Sequence, residues 1–145
     1  MREVIWNSLI TSLQSGECVL VLGSDIPAEP PATGVSEVSK GKSLRDVFCE
    51  NLVKQLEEAD LKVGEKLLFA VAQQFNDSPE FATVNLKNIA AQFFRNSGYA
   101  PGNLQQGLAR YPFSIVLTTC YDDLFAKALT EVGKTPTRYR YHYQW

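Results

Sequence analysis

Two short apolar runs of this chain end in small and polar residues that could bind a ligand or carry chemistry. Residues 18–22 lead into Gly23, Ser24 and Asp25. Residues 113–118 lead into a second polar stretch, whose sequence is Thr118-Thr119-Cys120-Tyr121-Asp122-Asp123. Both runs are predicted to be buried strands, and ligands of open α/β sheets bind beyond the carboxyl ends of parallel strands. The two strand ends are therefore the predicted functional site.

The second strand end contains a thiol and two carboxylates with possible catalytic roles. Cys120 could act as a nucleophile, which would require a base such as His142, the single histidine of the chain. His142 belongs to a different predicted strand, and packing is the alternative role for Cys120. Asp122 and Asp123 begin the next predicted helix, where carboxylates complement the helix dipole, so capping is the alternative role for them.

The first strand end could hold a phosphate group. Gly23 directly follows a strand, where the absence of a side chain lets the backbone approach a phosphate closely. A plain turn between strand and loop is the alternative. The carboxylate of Asp25 is expected to repel a pyrophosphate placed there.

Composition excludes several classes of function. The chain has 145 residues, enough for one domain with a sizeable core, and its formal net charge of −2 argues against nucleic acid as a partner. The three cysteines match no zinc spacing, so free thiols, no bound metal and a cytoplasmic location are expected. No apolar run is as long as a membrane span, so no membrane association is expected.

Hydrophobic periodicity predicts an α/β domain with a helical insertion between its first two strands. Apolar spacing predicts helices in residues 1–15, from Ser43, after Gly64, from Ser78, from Pro101 and in residues 124–132. The first helix is expected to pack on the sheet. The unbroken apolar run at residues 18–22 predicts a central parallel strand that is covered on both faces.

The end of the chain has a different pattern. Residues 137–143 alternate tyrosines with basic residues, which predicts a half-exposed edge strand. Basic side chains in and just before this stretch form a row that consists of Lys134, Arg138, Arg140 and His142. This row could contact an anion or a partner, or could be the solvated face of an edge strand. The chain ends two residues after Tyr143, which suggests that residues 1–145 are a single domain from the amino-terminal part of a longer protein.

The two strand ends also resemble a known family. Residues 20–24 (LVLGS) and 113–124 (FSIVLTTCYDDL) resemble the sirtuin-like (SIR2-like) domain of bacterial proteins, and the intervening helices are similar as well. In that family the first strand enters a Gly-Ala-Gly-x-Ser loop and the later strand enters a Thr-Thr-Asn-Tyr-Asp-Asp motif. The resemblance covers essentially the whole chain.

The resemblance implies a Rossmann-like fold, with a parallel sheet between helices on both faces, that binds NAD. Many such domains hydrolyse NAD in prokaryotic immune systems. Five residues match or lie at the implied cofactor-binding positions: Gly23, Ser24, Asp25, Thr118 and Thr119. Cys120 and Asp122 lie at the implied catalytic positions.

The chain departs from the family where the chemistry is carried out. Asp25 replaces the second loop glycine, Pro27 replaces the loop serine and Cys120 replaces the asparagine. Replacing asparagine by cysteine removes an amide donor and acceptor. The family histidine also has no counterpart, since His142 lies between two tyrosines.

These departures leave three hypotheses open. The first is a catalytically degenerate domain that acts as an interaction or regulatory module of a signalling or defence protein, with a protein partner or self-association. The second is an NAD hydrolase. The third is a sensor that binds NAD or ADP-ribose without turnover.

Overall fold

The computed structural model of the protein describes residues 2–31 and 41–139. This part of the chain forms helices and short strands in a mixed α/β arrangement. The helices are α1 (Arg2–Gln14), α2 (Leu44–Glu58), α3 (Leu68–Asp77), α4 (Leu86–Asn96), α5 (Asn103–Ala109) and α6 (Leu124–Glu131). The strands are β1 (Val19–Leu22), β2 (Ala28–Glu29), β3 (Ala100–Pro101) and β4 (Ile115–Thr118).

The two predicted strands pair directly with each other. β1 and β4 run parallel, with Val19 opposite Ile115 and Leu22 opposite Thr118. The helices α2 to α5 lie between these strands in the sequence, which confirms the predicted helical insertion. A second pair, β2 with β3, is antiparallel and only two residues long, and the sequence did not predict it because such short strands have no measurable periodicity.

The largest part of the core lies within the helical insertion. Buried side chains of α2 and α3 form this core, and partly buried side chains of α4 pack against it. The buried members are Phe48, Cys49, Leu52, Val53, Leu56, Val71 and Phe75. The apolar stripes that the sequence predicted for these helices therefore pack against one another.

The small sheet is covered on one face. α5 and α6 pack on the face that carries Leu20, Leu22 and Val116. The opposite face is exposed, with Val21 71% and Leu117 56% accessible. Among the described residues, the prediction of helices on both faces therefore holds for one face only. The prediction that α1 packs on the sheet is wrong as well, because residues 4–11 of α1 are all exposed.

Two predicted helix starts had different outcomes. Ser43 caps α2 as expected, since its hydroxyl accepts the Asp46 N–H at 3.1 Å. Ser78 precedes Pro79 and has an extended backbone (φ −76°, ψ 127°), so it ends α3 and caps only a short turn instead of a long helix, while its hydroxyl donates to the Gln74 carbonyl at 2.7 Å. A short 3₁₀ turn follows at Pro79–Phe81, and α4 begins later, with Asn85 as its cap.

The predicted edge strand at residues 137–143 is only partly described. Residues 137–139 are described and belong to no strand. Residues 140–143 lie outside the described part of the chain. Among the described helices, none combines the length and the apolar character needed to cross a membrane.

Candidate functional site

The two predicted strand ends meet at one edge of the sheet. The Thr119 N–H donates to the Leu22 carbonyl at 3.1 Å, which extends the contact between β1 and β4 beyond their paired residues. One residue further, the Cys120 thiol lies 3.0 Å from the Gly23 carbonyl oxygen and donates to it. The parallel pairing therefore brings Gly23, Thr118, Thr119 and Cys120 together, and the two loops are bonded to each other.

The environment of Cys120 keeps its thiol protonated. Burial raises the pKa of the Cys120 thiol, and the negative charges of Asp122 and Asp25 raise it further. A hydrogen bond with Thr118 opposes this shift without cancelling it. Because the thiolate is the nucleophilic form, a cysteine with a raised pKa is poorly suited to covalent catalysis.

Asp122 caps the first turn of the helix that follows it. Its Oδ1 atom accepts the Leu124 N–H at 2.9 Å, at the first turn of α6. Burial raises the pKa of the Asp122 carboxyl, while the hydrogen bond from Leu124 partly offsets that effect. Asp123 instead pairs with Arg138, with 2.6 Å between Oδ1 and Nη1. The Asp122 contact agrees with the capping role considered for these carboxylates, whereas the Asp123 side chain makes no capping hydrogen bond to α6.

The structure adds an arginine that sequence reasoning did not identify. Arg45, in the first turn of α2, places its Nη1 atom 2.7 Å from Asp25 Oδ1 and 3.5 Å from Ser24 Oγ. Its Nε atom is enclosed and has no hydrogen-bond partner. A cation in the first turn opposes the helix dipole, and this is the signal that could have identified Arg45.

The ion pair with Arg45 changes what is expected of Asp25. A lone carboxylate was expected to repel a pyrophosphate, but the guanidinium of Arg45 compensates the charge of Asp25. Arg45 Nη2 also lies 3.5 Å from Asp46 Oδ1, so the edge of the sheet beside β1 contains one cation and two carboxylates.

The basic row at the end of the chain is not assembled as one surface in the described residues. The Lys134 ammonium donates to the carbonyls of Ala109 and Tyr111, and Arg138 is paired with Asp123. Arg140 and His142 lie outside the described residues, so the structure does not place His142 relative to Cys120.

Two further observations bear on ligands and relatives. Within residues 2–31 and 41–139, no three His, Cys, Asp or Glu side chains are close enough together to hold a metal ion. Comparisons with protein-family models, with curated proteins and with solved structures find no match for this chain.

The raised pKa of Asp122 leads to a prediction about stability and pH. A carboxyl whose pKa is raised by folding stabilises the fold fully below its ordinary pKa of 3.8, and this contribution is lost as the pH rises through the folded-state value. Asp122→Asn keeps the oxygen that accepts the Leu124 N–H and removes the charge. We therefore expect the variant to be more stable than the parent at pH 7, and this advantage to shrink toward pH 4.

Urea unfolding at several pH values measures this difference, and Asp122→Ala is the matched control. Alanine removes both the charge and the acceptor, so the loss of the cap should cost about 0.5–2 kcal/mol relative to Asp122→Asn. A stability difference between Asp122→Asn and the parent that does not change with pH would show that the carboxylate is not penalised by burial.

Proposed function

We propose that this chain is a sirtuin-like domain that has lost catalysis and acts as an interaction or regulatory module. In this role it would serve a prokaryotic signalling or defence protein. The resemblance of the strand-end motifs supports the family assignment, and the parallel pairing of β1 with β4 is compatible with a Rossmann-like sheet.

One observation supports the proposed loss of catalysis. The polar side chains at the strand ends form hydrogen bonds or ion pairs with other groups of the protein. The Cys120 thiol donates to the Gly23 carbonyl, and burial raises its pKa. Asp122 accepts a helix amide, and Asp25 is paired with Arg45. A general base or nucleophile needs a free, suitably ionised group that faces the substrate. These contacts engage the Cys120 thiol and one carboxylate oxygen each of Asp122 and Asp25, which supports the proposed loss of catalysis.

A nucleotide sensor is the second candidate, and Arg45 favours it. The guanidinium lies beside the strand end where a phosphate would bind, and its Nη1 atom contacts Asp25. Arginine binds phosphate through its N–H donors, so a change that removes Asp25 would free Nη1 for a phosphate, while Nη2 stays 3.5 Å from Asp46 Oδ1.

The proposal is tested by measuring NAD turnover and binding with the purified chain. We expect no release of nicotinamide above the buffer baseline. Under the sensor alternative, Asp25→Gly should raise affinity for NAD about tenfold in calorimetric titration, or about 1.4 kcal/mol, because Asp25 no longer pairs with Arg45. Adding Arg45→Gln to Asp25→Gly is the matched control and should abolish the gain.

Three results separate the alternatives. Turnover by the parent chain that is abolished in Asp122→Asn would overturn the proposal and establish an NAD hydrolase. NAD or ADP-ribose binding by the parent without turnover would favour the sensor. An absence of binding heat in the parent and in Asp25→Gly would exclude the sensor and leave the interaction module. The double variant Cys120→Asn, Asp25→Gly tests whether restoring the two family residues restores turnover.

A further inference from the structure

Helix α1 exposes apolar side chains around its first two turns. Every residue from Val4 to Thr11 is exposed, and five of them are large and apolar. These five are Val4 (68%), Ile5 (65%), Trp6 (62%), Leu9 (48%) and Ile10 (49%). A single helix of 13 residues is marginally stable in water, because most helical stability in proteins comes from packing an apolar face. The exposed α1 therefore needs a surface to pack on.

Three hydroxyl groups in α1 and directly after it would stay hydrogen-bonded if the helix were covered. Residues 4–15 include no charged side chain. The hydroxyls of Ser8, Thr11 and Ser15 donate to the carbonyls four residues earlier at 2.9–3.0 Å. Because these donors are satisfied within the helix, covering α1 would leave them bonded.

The uncovered face of the sheet is a second apolar surface of the same chain. It consists of Val19 and Val21 on β1 and their register partners Ile115 and Leu117 on β4, which are 49–71% exposed. Parallel sheets are almost always covered on both faces. The exposed apolar part of α1 is about 9 Å long at 1.5 Å per residue, and β1 is about 10 Å long, so the two surfaces match in length.

The connection between α1 and β1 holds the helix away from its own sheet. The Gly16 N–H donates to the Leu13 carbonyl and the Glu17 N–H donates to the Ser12 carbonyl, which is the Schellman arrangement at a helix end. Gly16 has a φ of +73°, and a β-carbon there would lie 3.2 Å from the Pro112 carbonyl oxygen. The linker is therefore bonded and packed, and it fixes the direction of α1.

We propose that two copies of this chain form a dimer in which α1 of each copy packs on the uncovered sheet face of the other. A twofold axis satisfies both apolar surfaces of both copies at once, which is the geometry of an exchanged element. The dimer rests on the proposed interaction role, and it would make that role one of self-association.

The exposed apolar area is of the size found in a standard interface. Complete covering of the five α1 side chains and the four sheet side chains is the upper limit and would bury on the order of 900 Å² per copy, against about 800 Å² per partner in a standard interface. The surfaces are uncharged, so no ion needs to be desolvated when they meet.

Sedimentation velocity of the full chain over a wide concentration range tests the dimer. We expect a species with twice the chain mass, and we expect Trp6→Glu on α1 and Val21→Glu on the sheet each to give a monomer. Phe69→Glu on α3 is the matched control, since Phe69 is as exposed as Val21 (71%), and it should leave the dimer intact.

Mixing the two variants tests the exchange itself. In a mixed dimer, the intact α1 of the Val21→Glu copy meets the intact sheet of the Trp6→Glu copy, so one of two contacts is restored. We therefore expect the mixture to contain dimer that neither variant forms alone. Pairing of α1 with α1, or of sheet with sheet, would give no such recovery and would overturn the proposal.

A second measurement does not depend on the glutamate variants. Hydrogen exchange of the α1 amides in the parent chain should slow as concentration rises, and Val21→Thr, which keeps the strand preference, should remove that dependence. A parent chain that stays monomeric, or α1 exchange that is independent of concentration, would overturn the dimer. NAD turnover would instead overturn the proposed function without affecting the dimer, so the two failures are distinguishable.

Discussion

Phe75→Ala is expected to lower the free energy of unfolding by about 3–5 kcal/mol, the range measured when a buried aromatic side chain is removed. Phe75 lies in α3 with 1% of its surface exposed. Its ring stacks on Phe81 with 4.0 Å between the ring centroids, and its neighbours include the buried leucines of α2. Alanine would leave a cavity between helices whose positions are set by this contact.

Denaturant unfolding of Phe75→Ala and Phe69→Ala provides the matched comparison. Both phenylalanines lie on α3, but Phe69 is 71% exposed. The Phe69 variant should change the free energy of unfolding by less than about 0.5 kcal/mol, as is usual for surface substitutions. Equal losses from the two variants would contradict the assignment of the core to the inner stripe of α3.

Gly102→Ala is the second change with a large expected effect. A β-carbon at this position would lie 2.4 Å from the carbonyl oxygen of Pro27 and 3.2 Å from its carbonyl carbon. Because the obstacle is backbone, the loop after β1 must move away from the start of α5. We expect a loss of about 1–3 kcal/mol in the free energy of unfolding, the usual cost of overpacking.

Thermal and urea unfolding measure this loss, and Gly107→Ala is the control on the same helix. A β-carbon at Gly107 meets no atom within 4 Å, so alanine should stabilise the chain by up to about 1 kcal/mol through its better helix propensity. Because α5 packs on the covered face of the sheet, Gly102→Ala should also disturb the neighbouring strand ends. A stabilising Gly102→Ala would show that the loop and α5 are not in close contact.

These two positions illustrate which parts of the fold were predictable. Phe75 follows Val71 at helical spacing, and that local period is enough to assign it to the inner face of α3. The close approach of Gly102 to Pro27 joins segments far apart in the chain, and no local pattern encodes the contact. The same holds for the β2–β3 pair, in which two-residue strands depend on the packing around them.

The candidate site also has features that local sequence predicts and features that depend on contacts between distant segments. Local sequence patterns were enough to predict two apolar strands that end in Gly23-Ser24-Asp25 and in Thr118 to Asp123, because unbroken apolar runs and helix starts are local signals. Three features follow from tertiary contacts alone: Arg45 pairs with Asp25, the Cys120 thiol bonds to the Gly23 carbonyl, and Val21 and Leu117 face outward. Charge pairing and burial depend on which segments meet in space, and the hydrophobicity of a strand does not specify what covers each of its faces.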